Sequence, residues 1–127
     1  MADQIAIEYM KNTIAQAKYF IERIEKAKIK NSLVSHGYVV WNPVVGMAMT
    51  YRFKNLPNGK RQAIGGGVAG IMFAEYYSKE DATALAEDTL CGPDKVPAVA
   101  MFINDAIDLT ISGQNEMIAN LESHLTA

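Results

Sequence analysis

Residues 47–60 read MAMTYRFKNLPNGK, and their pattern sets the architecture that we expect for the chain. From Met47 to Lys54, large apolar side chains alternate with small or polar ones, which is the two-residue period of a strand with one apolar and one basic face. Asn58-Gly59 follows, and this dipeptide is the strongest short signal for a β-hairpin. The pattern therefore predicts a hairpin that carries positive charge on one face.

Long helical patterns lie on both sides of this β-rich part. Residues 3–30 carry apolar side chains at alternating steps of three and four, as in a coiled-coil seam, and residues 97–124 show a similar pattern beginning at Pro97. A short helix is expected over residues 80–90, because Ser78 can cap it. The two apolar seams consist of Ile7, Met10, Ile14, Ala17, Ile21 and Ile24, and of Ile103, Ile107, Ile111, Gln114, Ile118, Leu121 and Leu125.

The predicted order of elements is that of an α+β fold. It has a long N-terminal helix, a small antiparallel sheet of three to four strands within residues 37–77, a short helix and a long C-terminal helix. A length of 127 residues suits a single domain spanning 1–127, and a hydrophobic fraction of 50% is enough for a core. Two helices of this length exceed the expected diameter of such a domain, so they should pair with each other or with another copy. We predict a homo-oligomer formed through the terminal helices.

Several classes of site are disfavoured by composition. Cys91 is the one cysteine, which excludes an internal disulfide framework and a multi-cysteine zinc site, and the chain has two histidines. We therefore predict no catalytic residue, no metal and no cofactor. The N-terminal segment MADQIAIEYMKN lacks the apolar region of a secretory signal, and the uncharged residues 31–51 are broken by polar side chains. The expected location is cytoplasmic, with no membrane partner.

Residues 65–70, GGGVAG, match the G-x-G-x-x-G pattern of dinucleotide-binding loops. That chemistry needs a buried strand before the glycines and a helix after them, whose N-terminal amides hold the pyrophosphate. The preceding residues 60–63, KRQA, do not form a strand core. We therefore expect a glycine-rich bend between strands, where the missing side chains permit close packing or a bulge.

A net charge of −2 hides a strong asymmetry along the chain. Residues 31–70 carry a charge of +4 with no acidic side chain, whereas residues 71–127 carry −8. This asymmetry indicates an anionic partner for the basic part, or complementary association between copies. The candidate ligand-binding residues are the basic side chains Arg52, Lys54, Lys60 and Arg61, with His36 and Trp41 as second contacts.

These observations favour a non-enzymatic, homo-oligomeric binding or assembly protein, a small accessory protein of bacterial or phage type. Its basic sheet region would hold an anionic, nucleotide-like ligand or a protein partner. One alternative is a structural oligomer, such as a virion or scaffold component, that binds no ligand. Another is a nucleic-acid-binding protein that uses the basic hairpin over residues 50–62. An enzyme is the least favoured hypothesis, because the sequence contains no Ser-His-Asp, Cys-His or P-loop pattern.

Overall fold

The computed structural model describes residues 3–31 and 34–126, which form two compact units. The first unit contains residues 3–28 and 107–126, and the second contains residues 29–106. The interpretation of the whole chain as one domain stays a prediction.

The order of elements confirms the α+β fold. Long helices stand at both ends of the described chain, with a four-stranded antiparallel sheet and a two-stranded sheet between them. Among the described residues, no helix is long and apolar enough to cross a membrane. The elements are α1 (Gln4–Lys26), β1 (Tyr38–Asn42), β2 (Met47–Asn55), β3 (Arg61–Ala69), a 3₁₀ turn (Ile71–Phe73), α2 (Lys79–Glu87), β4 (Leu90–Cys91), β5 (Val96–Pro97), β6 (Val99–Phe102) and α3 (Ile103–Thr126).

The first unit is built from α1 and most of α3. Ile14 and Ala17 of α1 pack in one apolar cluster with Ile118 of α3. The Lys18 Nζ atom also lies 3.9 Å from Glu122 Oε1 between the two helices. The apolar seams that the spacing predicts are therefore used within the chain, where burial of these side chains stabilises the helix pair.

Helix α1 ends at Lys26, short of the predicted residue 30. The side-chain amide of Asn104 binds both backbone groups of Ile29. Its Oδ1 accepts from the Ile29 N–H at 2.8 Å, and its Nδ2 donates to the Ile29 carbonyl at 2.9 Å. Since these bonds satisfy the backbone at Ile29, the helix does not need to continue through it.

The second unit is built around the four-stranded sheet, whose strand order is β3-β2-β1-β6 with all neighbours antiparallel. Helix α2 covers one face of this sheet. Ala82 and Ala86 of α2 form a core with Val40 of β1 and with Tyr77 and Cys91. The small alanine side chains let the helix backbone approach the strands closely.

The prediction of a helix from residue 97 was wrong at its start, because α3 begins at Ile103. Residues 99–102 form strand β6 instead, and each pairs with β1, from Tyr38 opposite Phe102 to Trp41 opposite Val99. Pairing along a buried strand outweighs the local helical pattern of this segment. The two-stranded sheet of β4 and β5 was not predicted, and it takes up Leu90 and Pro97, which the predicted helices over residues 80–90 and 97–124 had included.

Strand β3 ends at Ala69, so the extended conformation does not continue to Tyr77, the end of the segment in which the sheet was predicted. The short 3₁₀ turn follows, and Tyr77 then makes an isolated bridge with Tyr38. The Tyr38 N–H donates to the Tyr77 carbonyl at 3.0 Å, and the Tyr77 N–H donates to the Tyr38 carbonyl at 2.7 Å. The segment between β3 and α2 is thus a turn and a bridge, and neither a fourth long strand nor a helix.

The helix pair yields a test with a matched control on one helix. Ile14→Ala should lower the free energy of unfolding by about 2–4 kcal/mol, because it removes a buried side chain from the α1–α3 cluster. Ile5→Ala makes the same chemical change at an exposed position of α1 and should cost less than about 0.5 kcal/mol. Urea unfolding of both variants measures the difference, and equal costs would contradict the helix pairing.

Candidate functional site

The two faces of β2 meet different surroundings. Met49, Tyr51 and Phe53 pack against the core under α2. Arg52 and Lys54, which alternate with them, are exposed on the opposite face. The alternation predicted from the sequence is confirmed, and the aromatic residues of β2 belong to the packed face.

The turn after β2 brings two further basic residues, Lys60 and Arg61, to the side of α2. Gly59 in this turn has a φ of +80°, a left-handed conformation that favours glycine. Strand β3 begins at Arg61, and its pairing with β2 puts this side chain on the same face as Phe53. The Arg61 guanidinium carbon lies 4.5 Å from the centre of the Phe53 ring, which is a close cation–π contact.

An open groove runs between the β2–β3 hairpin and α2, and we call it the hairpin–helix groove. Its volume is about 740 Å³. Met49, Tyr51 and Phe53 supply its aromatic and apolar lining from β2. The other side chains that matter for its chemistry are Lys60 and Arg61 from the hairpin and Leu85, Asp88 and Thr89 from the helix side. A smaller pocket of about 350 Å³ shares Phe53, Lys60, Arg61 and Leu85 with it and adds Tyr77 and Asp81.

Two tyrosine hydroxyls are held by hydrogen bonds beside the groove. The Tyr51 hydroxyl lies 2.6 Å from Thr89 Oγ1, and the Thr89 hydroxyl donates to the Leu85 carbonyl at 2.7 Å, so Tyr51 is the donor to Thr89. The Tyr77 hydroxyl donates to Glu75 Oε2 at 2.7 Å. Burial raises the pKa of both hydroxyls, and the bond to Glu75 raises the pKa of Tyr77 further. Both tyrosines therefore stay neutral at physiological pH.

The cations of the groove keep their charge unneutralised. In the part of the chain that the structure describes, no carboxylate lies within ion-pair distance of Lys60 or Arg61. Asp81 and Asp88 lie on the α2 side, so one side of the groove is basic and the other acidic. No group of three or more His, Cys, Asp or Glu side chains among the described residues is arranged to hold a metal ion. The groove thus offers two cations and an apolar lining to a bound molecule.

The structure separates the four predicted basic residues into two pairs. Lys60 and Arg61 line the hairpin–helix groove. Arg52 and Lys54 lie on the opposite face of β2, where the Arg52 guanidinium lies over Gly65 of β3. The basic hairpin thus presents charge on two faces, and one ligand of small size cannot contact both pairs.

The two predicted second contacts lie away from the groove. His36 is exposed before β1, and its Nδ1 lies 3.0 Å from Ser35 Oγ. Trp41 is only 5% exposed, because it lies in the sheet core on β1. Neither residue lines the groove. A stacking contact at Trp41 has no support in the structure, since ligand stacking needs an accessible ring face.

The expectation of a bend between strands over residues 65–70 was wrong, because residues 65–69 belong to strand β3, whereas the expected bulge and close packing are present. The pairing of β2 with β3 shifts by one residue at Ile64, which is a β-bulge. A Cβ atom on Gly66 would lie 2.5 Å from the Thr50 carbonyl oxygen, so glycine is required there for close packing. The residues directly after these glycines form the 3₁₀ turn Ile71–Phe73 and no α-helix begins before Lys79, which rules out the pyrophosphate-binding arrangement.

Three groove residues on the helix side were not predicted from the sequence, namely Leu85, Asp88 and Thr89. The capping signal at Ser78 does predict α2, and the Ser78 Oγ accepts from the Asp81 N–H at 3.1 Å. The alternation of β2 likewise indicates that its apolar face must be covered. The sequence of neither segment identifies α2 as the element beside this apolar face, because that arrangement depends on the order of strands in the sheet.

Gly66 and Gly67 provide a sharp test of the packing at the bulge. Gly66→Ala should lower the free energy of unfolding by about 1–3 kcal/mol, because the new methyl group overlaps the Thr50 carbonyl oxygen. Gly67→Ala should be neutral or stabilising by up to about 1 kcal/mol, because a Cβ atom there meets nothing within 4 Å. Chemical denaturation compares the two variants, and a larger cost at Gly67 would contradict the register of β3.

The hydroxyl of Tyr77 gives a pH-dependent prediction. Its pKa is raised in the folded protein, so the unfolded chain loses this proton first as the pH rises past about 10. The Tyr77 hydroxyl therefore makes its full contribution to the free energy of unfolding below about pH 10, and this contribution is lost as the pH rises further. Tyr77→Phe should cost about 1 kcal/mol at neutral pH, through the lost bond to Glu75, and should make the alkaline loss of stability shallower.

Urea midpoints measured at neutral pH and at about pH 10.5 check this prediction. Tyr9→Phe is the control, because Tyr9 is an exposed residue of α1. An alkaline profile of Tyr77→Phe that matches the wild type would contradict the role given to this hydroxyl.

Comparison of the chain with protein-family models, with curated proteins and with solved structures finds no match in any of the three. The groove itself, through its size, its apolar lining and its two cations, is therefore the feature that points to a function.

Proposed function

We propose that this chain is a non-enzymatic, homo-oligomeric binding protein whose hairpin–helix groove holds a small anionic ligand of nucleotide-like chemistry. The observation that carries the proposal is the juxtaposition of Arg61 with Phe53 in an open groove. A cation at one end of an apolar surface suits a ligand that has an anionic group and a flat ring.

The dimensions of the groove support a ligand of this size. Small-molecule sites commonly have volumes of roughly 300–1,000 Å³. The groove, at about 740 Å³, falls within that range. Its lining from Met49, Tyr51, Phe53 and Leu85 is apolar or aromatic, which favours contact with a ring system.

The two cations support an anionic group. Arg61 offers a planar fork of donors that can bind phosphate or carboxylate with two bonds, and Lys60 adds a point charge beside it. Neither side chain would have to break an ion pair with a described residue in order to bind a ligand. The carboxylates of Asp81 and Asp88 on the other side would repel the anion, so the proposal orients its charged end toward the hairpin.

The setting of this function is also part of the proposal. We assign the protein to the cytoplasm and to the small accessory proteins of bacterial or phage type. The buried, unpaired thiol of Cys91 supports a reducing compartment, because no described disulfide stabilises the fold.

The opposite face of the hairpin favours a second candidate, a nucleic-acid-binding protein. Arg52 and Lys54 are exposed there beside the small residues Gly65 and Gly67, and no ion pair with a described residue occupies either cation. Phosphate contacts at these residues would weaken steeply with rising salt.

The proposed function is tested by titration calorimetry with three probes: adenosine monophosphate, adenosine and inorganic phosphate. Adenosine monophosphate should bind more tightly than either part alone, because the groove offers both a cation and an apolar surface. Arg61→Ala should weaken its binding about tenfold, the cost of one charge-assisted hydrogen bond of roughly 1.5 kcal/mol.

Arg52→Ala is the matched control, since it removes the same group from the opposite face of the hairpin. It should leave the affinity for adenosine monophosphate unchanged. Equal losses in the two variants, or adenosine binding as tightly as its monophosphate, would contradict the proposed site. Loss in Arg52→Ala alone, with a steep salt dependence for an oligonucleotide, would favour the nucleic-acid candidate.

A further inference from the structure

Strand β3 forms an open edge of the four-stranded sheet. It is the terminal strand in the order β3-β2-β1-β6, and no described residue pairs with its outer side. Alternate backbone N–H and C=O groups of an edge strand point away from the sheet, toward water or another strand. The opposite edge, β6, has only four residues, Val99–Phe102, whereas β3 has nine. β3 is therefore the edge at which the sheet could be extended.

This edge lacks most of the features that usually prevent pairing. Edge strands are commonly protected by lysine, proline or other interruptions, whereas residues 62–74 contain no charged side chain and no proline. The bulge at Ile64 is one interruption, and it leaves residues 65–69 as the regular part of the edge. Apolar side chains are exposed along the same segment, with Ile64 at 57%, Val68 at 45% and Phe73 at 81%. An exposed apolar edge of this kind favours association.

We propose that β3 is an interface between two copies of this chain, in which the two β3 strands pair in antiparallel orientation and join two sheets into one. An extended backbone is what satisfies the outward groups of an edge strand. In a contact about a two-fold axis, each copy supplies the same strand, so the two strands match in length and in their outward N–H and C=O groups. A charged peptide from another protein finds no opposite charge along residues 62–74.

Charge also selects the orientation of the pair. In a parallel pair, Lys60 and Arg61 of one copy would lie beside the same residues of the other. In an antiparallel pair these cations lie at opposite ends of the strand. With the two-fold axis at Gly67, the middle of residues 65–69, the two Arg61 side chains lie about 12 residue steps apart, roughly 41 Å at about 3.4 Å per residue, which exceeds the Debye length of about 8 Å at physiological salt.

The main competing surface is the outer face of α1. The predicted seams of α1 and α3 already pack on each other within the chain, but Ile5, Tyr9 and Tyr19 of α1 are exposed. A dimer through this face would bury apolar side chains but, unlike one through β3, would satisfy no backbone group, since a helix already pairs its own N–H and C=O groups. The β3 interface does not depend on a ligand in the hairpin–helix groove, so it can be tested on the ligand-free protein.

Sedimentation velocity of the full chain over a range of concentrations tests the proposal. A contact of this length lies at the small end of interface sizes, so we expect a monomer at low concentration and a species of twice that mass at high concentration. The double variant Ile64→Lys with Val68→Lys should stay monomeric throughout. The control Val45→Lys with Val99→Lys adds the same charge at exposed positions outside β3 and should dimerise like the wild type.

A cross-linking measurement locates the contact independently of stability. Native Cys91 is buried, so a single Gly67→Cys or Val68→Cys variant adds one accessible thiol. Mild oxidation should give a covalent dimer with at least one of the two variants. A monomer at all concentrations, or a dimer that survives the β3 lysines, would overturn the proposal. So would a dimer that is lost only when Tyr9 and Tyr19 are replaced by lysine, because that result would assign the contact to α1.

Discussion

The sheet unit depends on how the apolar face of β2 packs against the core that Val40, Tyr77 and the alanines of α2 form. Side chains alternate along a strand, so packing Tyr51 and Phe53 against this core puts Arg52 and Lys54 on the other face. A slip of one residue in the pairing would exchange the two sets and bury two cations. The same packing places Phe53 where Arg61 can lie over its ring, and so it creates the charged, apolar groove.

The bulge in β3 adjusts this arrangement. With Ile64 as the extra residue, Gly65 lies opposite Arg52 and Gly66 lies opposite Tyr51. The glycines then leave room for the Arg52 side chain on one face and for the Thr50 carbonyl at the other position. A sequence motif that resembles a phosphate-binding loop is thus explained by strand packing, because the glycines are needed where β2 and β3 approach each other.

Local patterns predict those parts of the fold that local forces determine. The seams of α1 and α3, the alternation of β2 and the Ser78 cap of α2 all depend on spacings within one element, and all are present. The start of α3 was mispredicted because residues 99–102 take the strand conformation that β1 imposes through pairing. The division of the basic residues between two faces follows from the turn and the register, so Arg61 joins Phe53 although the linear sequence groups it with Arg52.

In the proposed complex, the hairpin–helix groove holds both the ring and the anionic group of one ligand. Intermolecular nuclear Overhauser effects between adenosine monophosphate and the labelled protein test it most directly. We expect contacts from the ring protons of the nucleotide to the Phe53 ring and the Leu85 methyl groups, both of which line the groove. Contacts confined to Thr50 and Ala69 on the opposite face of the hairpin, or none at a saturating nucleotide concentration, would contradict it.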